Sequence, residues 1–159
     1  VIKLFNPSFE SDEKESTQFL IAVDVAIKIF EEEVLSIVGR VKAKKILEAK
    51  IPEAIEKHYL ELDKFMPYEE SIYTLDTNKQ IYFVVFPSNR GGYSAKTIFN
   101  SSEDRVYRVE FPEEWAGLQD SELESVSGIL GLRFCHTGRF IVNCATEEAM
   151  DKVLEVVCK

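Results

Sequence analysis

Six consecutive β-forming residues, Ile81-Tyr82-Phe83-Val84-Val85-Phe86, constrain the fold of this chain more than any other stretch. An apolar run of that length without polar alternation reads as a central strand covered on both faces. It therefore demands a sheet with material packed above and below it. Pro87 to Gly92 follows as a turn, and Tyr93 to Phe99 returns antiparallel. Gly91-Gly92 lacks the G-x-x-x-x-G-K-S/T spacing and the following helix of a phosphate loop, so the pair reads as a hairpin turn.

A second stretch, Tyr107 to Cys144, holds the only Trp and one of the two His. It reads as a strand from Val106 to Phe111, a Pro-Glu-Glu-Trp turn and a short amphipathic helix from Asp120 to Val126. A Ser127-Gly128 stop and two strands, Gly131 to His136 and Arg139 to Cys144, complete it. Aromatic and β-branched residues fill those last two strands, and Thr137-Gly138 between them suits a two-residue hairpin turn. Thr146 or Ala145 then starts a final helix with Glu147 and Glu148 in its first turn and Ala149, Met150, Val153, Leu154 and Val157 on one face.

Upstream, Ser11 or Asp12 caps a long helix whose apolar stripe, Leu20, Val23, Ile27, Phe30, Val34, Ile37 and Val41, recurs at spacings of three and four. A stripe so regular requires a partner helix, in this chain, in another domain or in a second copy. Ile51-Pro52-Glu53 suits a new, short helix with Pro at its first position. Tyr59 to Asp63 alternates like a strand, and Glu69 to Tyr73 is compatible with a helical turn. The sum is an α+β fold: a mostly antiparallel sheet with a long N-terminal helix, a short helix and a C-terminal helix packed on it, expected on one face. The expected division is a helical segment over residues 1–58 and an α+β domain over 59–159.

The chain has 159 residues and a formal net charge of -9, so a polyanion is repelled on average and any nucleic-acid contact must be local. Arg40, Lys42, Lys44, Lys45 and Lys50 form the most basic part. They read either as cations complementing a helix C-terminus or as a nucleic-acid contact. Cys135, Cys144 and Cys158 form no C-x-x-C pair and read as reduced core thiols of a reducing compartment, which makes the chain intracellular: nucleus, cytoplasm or mitochondrion. No apolar run reaches the roughly 18 residues of a membrane helix, so no membrane partner is expected. A first residue of Val1 suits a processed chain or a fragment.

Phe111-Pro112-Glu113-Glu114-Trp115, Gly117-Leu118, Ser127-Gly128-Ile129, His136 with Phe140-Ile141, and the opening Leu4-Phe5-Asn6-Pro7-Ser8-Phe9 together resemble the C-terminal part of the melanocyte proliferating gene 1 family. That family belongs to the DHH phosphoesterase superfamily, and its members are regarded as 3'-to-5' RNA exonucleases. The family's catalytic half carries a His-x-Gly-x-x-His-x-Asp-Glu segment and an Asp-His-His triplet that hold divalent metal. Neither occurs here, where the only histidines are His58 and His136. The resemblance therefore implies the C-terminal domain of a metal-dependent exonuclease, inactive alone, with manganese or magnesium held in a catalytic half that would be its partner.

No residue of this chain is read as catalytic or metal-ligating. For substrate binding the resemblance points to His136, with Arg133 and Arg139 near it, at a sheet end. Against that stands a hydrogen-bonded structural His. Trp115 reads as a lid on the core or as a base-stacking ring. Asn6, Pro7 and Phe9 read as a strap on a neighbour or as an interdomain seam. The family tends to have Trp-Arg-Gly-Leu where this chain has Trp115-Ala116-Gly117-Leu118. It tends to have Gly-Gly at Val142-Asn143, and Thr-Arg-Glu-Gly-Ala at Thr146 to Met150. Fewer glycines and arginines weaken phosphate contact, so single-stranded RNA is expected to bind weakly. An alternative reading is a protein-interaction module, with a homodimer formed through the long helix.

Overall fold

A computed structural model describes residues 5–8, 10–12 and 14–158. Backbone contacts divide the chain into two compact units, Val1–Lys42 and Ala43–Lys159. One helix, α1, runs Glu15–Lys57 and begins in the first unit. It starts later than the sequence suggests: the Lys14 carbonyl accepts from Thr17 and Gln18 N–H at 2.9 and 3.3 Å, and Ser11 and Asp12 precede the helix. It also runs on through Pro52, where a new helix was expected. Proline in a helix interior removes one backbone hydrogen bond and costs about 3 kcal/mol. Leu47, Ile51 and Ala54, all at most 3% exposed on consecutive turns, offset that cost by burial. His58 follows in the left-handed region at φ 65° and turns the chain out of the helix.

Within the second unit the elements are β1 (Tyr59–Glu61), α2 (Glu69–Leu75), β2 (Phe83–Pro87), β3 (Tyr93–Thr97), α3 (Asp120–Ser127), β4 (Leu132–Cys135), β5 (Ile141–Cys144) and α4 (Glu147–Val157), with a 3-10 turn at Glu113–Trp115. The five strands form one sheet in the order β1-β2-β3-β5-β4. Only β1 and β2 are parallel, joined by a crossover that contains α2. The fold is α+β.

Alternation along the strands explains two cores. Phe83 and Val85 of β2 point into one, with Ala95, Leu132, Cys135, Val142, Cys144, Phe111, Trp115, Leu123 of α3 and the apolar face of α4. Val84 points the other way, into a second cluster with Leu60, Leu62, Ile72 of α2, Ile81, Ile98 and the Ala43, Leu47, Ile51 and Ala54 positions of α1. Strand β2 is thus covered on both faces, as its composition requires. Helices occupy both faces rather than one, because the last turns of α1 and α2 supply the second layer over β1 and β2.

Two expected elements differ. Val106 to Phe111 is not a strand: Tyr107 makes an isolated bridge to Phe99, Arg108 N–H reaches Ile98, and Phe111 N–H reaches Arg139. Its backbone changes partner every few residues, so no ladder forms. The β4–β5 loop is also longer than two residues. His136 N–H donates to the Ile141 carbonyl at 3.0 Å, leaving residues 137–140 as the loop, with Arg139 left-handed at φ 53°. Gly128 ends α3 with φ 71°, the left-handed C-cap expected after Ser127.

Candidate nucleic-acid interface

The second core covers β1 and β2, and the same face of β3, β5 and β4 is less enclosed. Register places Lys96, Ile141 and His136 in one row across these strands, since Lys96 pairs with Ile141 and His136 bonds to Ile141. Ser94, Asn143 and Phe134 form the next row. Ser94 is buried, whereas Lys96, Ile141, Asn143, Phe134 and His136 are all half-buried. Asn143 Nδ2 donates to the Tyr93 carbonyl at 3.0 Å and to Ser94 Oγ at 3.2 Å, so the polar floor of this face is held by hydrogen bonds.

His136 sits where the face meets the 137–140 loop. Its Nδ1 accepts from Gly138 N–H at 2.9 Å, which places the proton of the neutral ring on Nε2 and leaves that nitrogen as a donor. The packing at Gly138 is tight: a Cβ there would stand 3.2 Å from both His136 Nδ1 and Phe140 Cδ1. The imidazole is the second member of an aromatic row. Its centroid lies 4.2 Å from Phe140 and 6.2 Å from Phe134. Phe140 stacks on Tyr107 at 5.9 Å, and Tyr107 on Phe99 at 4.5 Å. All five rings are half-buried, so their edges and the ends of the row meet solvent. The members come from four separate segments, and no local spacing in the sequence announces the row.

The three other residues expected to touch substrate differ in their surroundings. Arg133, on β4, is exposed and enters no ion pair among the described residues. Arg139 is neutralised by Glu110, whose carboxylate it contacts. Trp115 is 2% exposed in the first core, 6.5 Å from the Phe111 ring, so its indole is covered by neighbouring core side chains. The 3-10 turn that carries it folds the indole inward, so the tryptophan is a lid on the core. Asn6 and Pro7 line a hollow of about 540 Å³ with Phe5, Phe19 and Ala22 in the first unit, while Phe9 lies outside the described residues.

His58 is structural. Its Nδ1 pairs with the Gln80 carbonyl at 2.9 Å and its ring stacks on Tyr82 at 5.1 Å, tying the end of α1 to the start of β2. The cysteines are free thiols, and burial pushes Cys135 up to about 11 and Cys144 to about 12, so both stay protonated at neutral pH. Among the described residues no three His, Cys, Asp or Glu side chains converge as a metal site needs, and no helix is long and apolar enough to cross a membrane.

Fold and face together define an α+β domain with a polar, aromatic-bordered sheet end. Comparison with known proteins gives the family: residues 1–156 match MYG1_exonuc, described as an uncharacterised protein family (UPF0160), and the chain belongs to it. It is similar to the MYG1 protein of Chlamydia trachomatis, at 28% identity over all of this chain and 54% of that protein. A MYG1 protein of Saccharomyces cerevisiae is 34% identical over 56% of this chain and 28% of its own length. The human protein named MYG1 exonuclease is 31% identical over 52% of this chain and 23% of its own. The chain spans about half the length of the curated relatives it matches most fully. No solved structure matches.

Proposed function

We propose that this chain is the C-terminal domain of a metal-dependent 3'-to-5' RNA exonuclease of the DHH phosphoesterase superfamily. In this reading the reaction, hydrolysis of a terminal phosphodiester, takes place on a catalytic half that supplies the metal ligands. The present domain completes the substrate cleft and is inactive alone. The observation that carries the proposal is the family match over nearly the whole chain, with a human relative named an exonuclease. The geometry supports a binding role: His136 Nε2–H can donate to a phosphate or base oxygen, Lys96 shares its row, Arg133 is an exposed cation on β4, and the aromatic row offers ring edges and one end. Nucleus, cytoplasm and mitochondrion are all compatible with this function.

Binding of a short fluorescent single-stranded RNA, read by anisotropy at two salt concentrations, tests the reading. Wild type is expected to bind weakly and in a salt-dependent way, and His136→Ala to lose several-fold in affinity. Glu110→Gln, which frees Arg139, is expected to bind several-fold tighter and to steepen the salt dependence by about 0.7 in log–log slope, the contribution of one added phosphate contact to single-stranded nucleic acid. Absence of binding in both wild type and Glu110→Gln at low salt would assign RNA recognition wholly to the catalytic half.

A further inference from the structure

Strand β4 carries one residue more than the strand beside it. Leu132 stands opposite Cys144, Phe134 opposite Asn143 and Cys135 opposite Val142, and the His136 N–H bond to Ile141 continues the ladder. Arg133 has no opposite number, which makes it the extra residue of a β-bulge. Leu132 and Cys135 both fill the first core with no exposed surface, so the two residues between them, Arg133 and Phe134, turn to the other face of the sheet. The alternation does not require the extra residue. With Arg133 removed, Leu132, Phe134, Cys135 and His136 would follow one another in regular register, each on the face it now occupies. A bulge can also blunt an open sheet edge, but this edge is already covered. Gly117 N–H donates to the Cys135 carbonyl and Cys135 N–H to the Leu118 carbonyl, each at 3.1 Å, and Gln119 bridges Phe134. What the bulge adds is the Arg133 side chain.

That side chain is an exposed guanidinium, in no ion pair among the described residues, and it adjoins the terminal ring of the aromatic row. Phe134 is half-buried and meets His136 edge to face at 6.2 Å. A phosphate held by the guanidinium fork would bring the base of the same nucleotide against the Phe134 ring, extending the row by one member. Charge and ring face are both blind to base identity. The ring contact also needs a base free of its duplex partner.

We infer that Arg133 and Phe134 form a one-nucleotide subsite for single-stranded RNA without sequence preference, and that the β4 bulge serves to place the cation. The inference rests on the reading of this face as an RNA interface. Anisotropy with the 159-residue chain, using a labelled single strand, its scrambled counterpart and an RNA duplex, tests it. The two single strands are expected to bind within about twofold of each other and the duplex several-fold more weakly. Arg133→Ala, which keeps the bulge, and deletion of Arg133, which removes it, are each expected to lower the log–log salt slope by about 0.7, the loss of one phosphate contact. Arg133→Lys is expected to keep the slope, and Phe134→Leu to lose about tenfold in affinity with the slope unchanged. The deletion variant is expected to unfold in urea at the wild-type midpoint or above it. RNA binding by wild type with affinity and slope unchanged in Arg133→Ala overturns this inference and leaves the interface reading standing. Equal binding of the duplex overturns the single-strand assignment, and a deletion variant that fails to fold overturns the role given to the bulge. No RNA binding at low salt by wild type or Glu110→Gln overturns this inference together with that reading.

Discussion

Replacing Arg108 by methionine should destabilise the second unit by about 3 kcal/mol, and the structure says why. Arg108 and Asp76 form an ion pair at 2.5 Å with side chains 3% and 0% exposed. Asp76 Oδ1 and Oδ2 also accept from Gln80 and Ile81 N–H, each at 2.9 Å, while Arg108 Nη1 donates to the Ile81 carbonyl at 2.7 Å. The pair thus pins the loop after α2 to the start of β2. Removing one partner of a buried pair leaves the other charge uncompensated, at about 3 to 5 kcal/mol. Two features put the effect at the low end: Asp76 keeps two backbone donors, and Arg108 Nε is buried without a partner, so the arginine is imperfectly satisfied. Against a total stability of roughly 5 to 15 kcal/mol this is a large fraction. Urea unfolding followed by circular dichroism should show the midpoint falling by about 1 to 2 M with the slope unchanged. The double variant Asp76→Asn/Arg108→Met should lose less than the sum of the two single losses, because neutralising Asp76 removes the orphaned charge. A loss below about 1 kcal/mol for Arg108→Met, or strict additivity in the cycle, would refute this account.

Two glycine substitutions, one alkylation experiment and one pH series on a cysteine-to-alanine variant follow from the same structure. Gly92→Ala should cost about 3 kcal/mol or more in the same urea assay, since the new Cβ would lie 1.9 Å from the Cys144 carbonyl oxygen at φ +70°; Gly91→Ala, with open space at φ +87°, should cost only about 1 kcal/mol. Cys135 and Cys144 should resist iodoacetamide in the folded protein, with half-buried Cys158 reacting first. Burial raises the folded-state thiols of Cys135 and Cys144 from 9 to about 11 and about 12, so unfolded chains release those protons first. Their contribution to stability is therefore complete below pH 9 and lost as pH rises from there through about 12. Replacing both by alanine should flatten the decline in urea midpoint across that window, and an unchanged slope would count against the burial argument.

Much of the fold was legible because its signals are local. The Ile81 to Phe86 run needed no partner to be read as a doubly covered strand. Gly128 and Thr146 marked helix boundaries by their own chemistry: Thr146 Oγ1 accepts from Ala149 N–H at 3.2 Å. What was missed depends on contacts distant in sequence. Pro52 carries a local stop signal that the burial of Leu47, Ile51 and Ala54 overrides. Nothing local in the sequence marks Asp76 or Arg108 as half of a buried pair. Only the folded chain shows that they meet across 32 positions. The candidate site divides in the same way. His136 was picked out as a lone histidine in a strand pattern, but its aromatic neighbours Phe99 and Tyr107 reach it only through Phe140. Trp115 drew notice for its rarity and proves to be core.

Net charge alone does not decide whether an acidic domain can hold RNA; what matters is which cations remain uncompensated, and where. Lys50 pairs with Asp63, Lys57 with Glu53, Arg108 with Asp76 and Arg139 with Glu110, so these four cations of the second unit are already occupied. Arg133 and Lys96 enter no ion pair among the described residues, and they lie on the outer strand β4 and on β3, the strands flanking β5. At physiological ionic strength the screening length is about 8 Å, so a phosphate placed against that face responds mainly to charges within a few side chains of it. The carboxylate nearest by contact to the loop cation Arg139 is Glu110, which is why removing that one charge should do more for binding than its share of the net charge suggests.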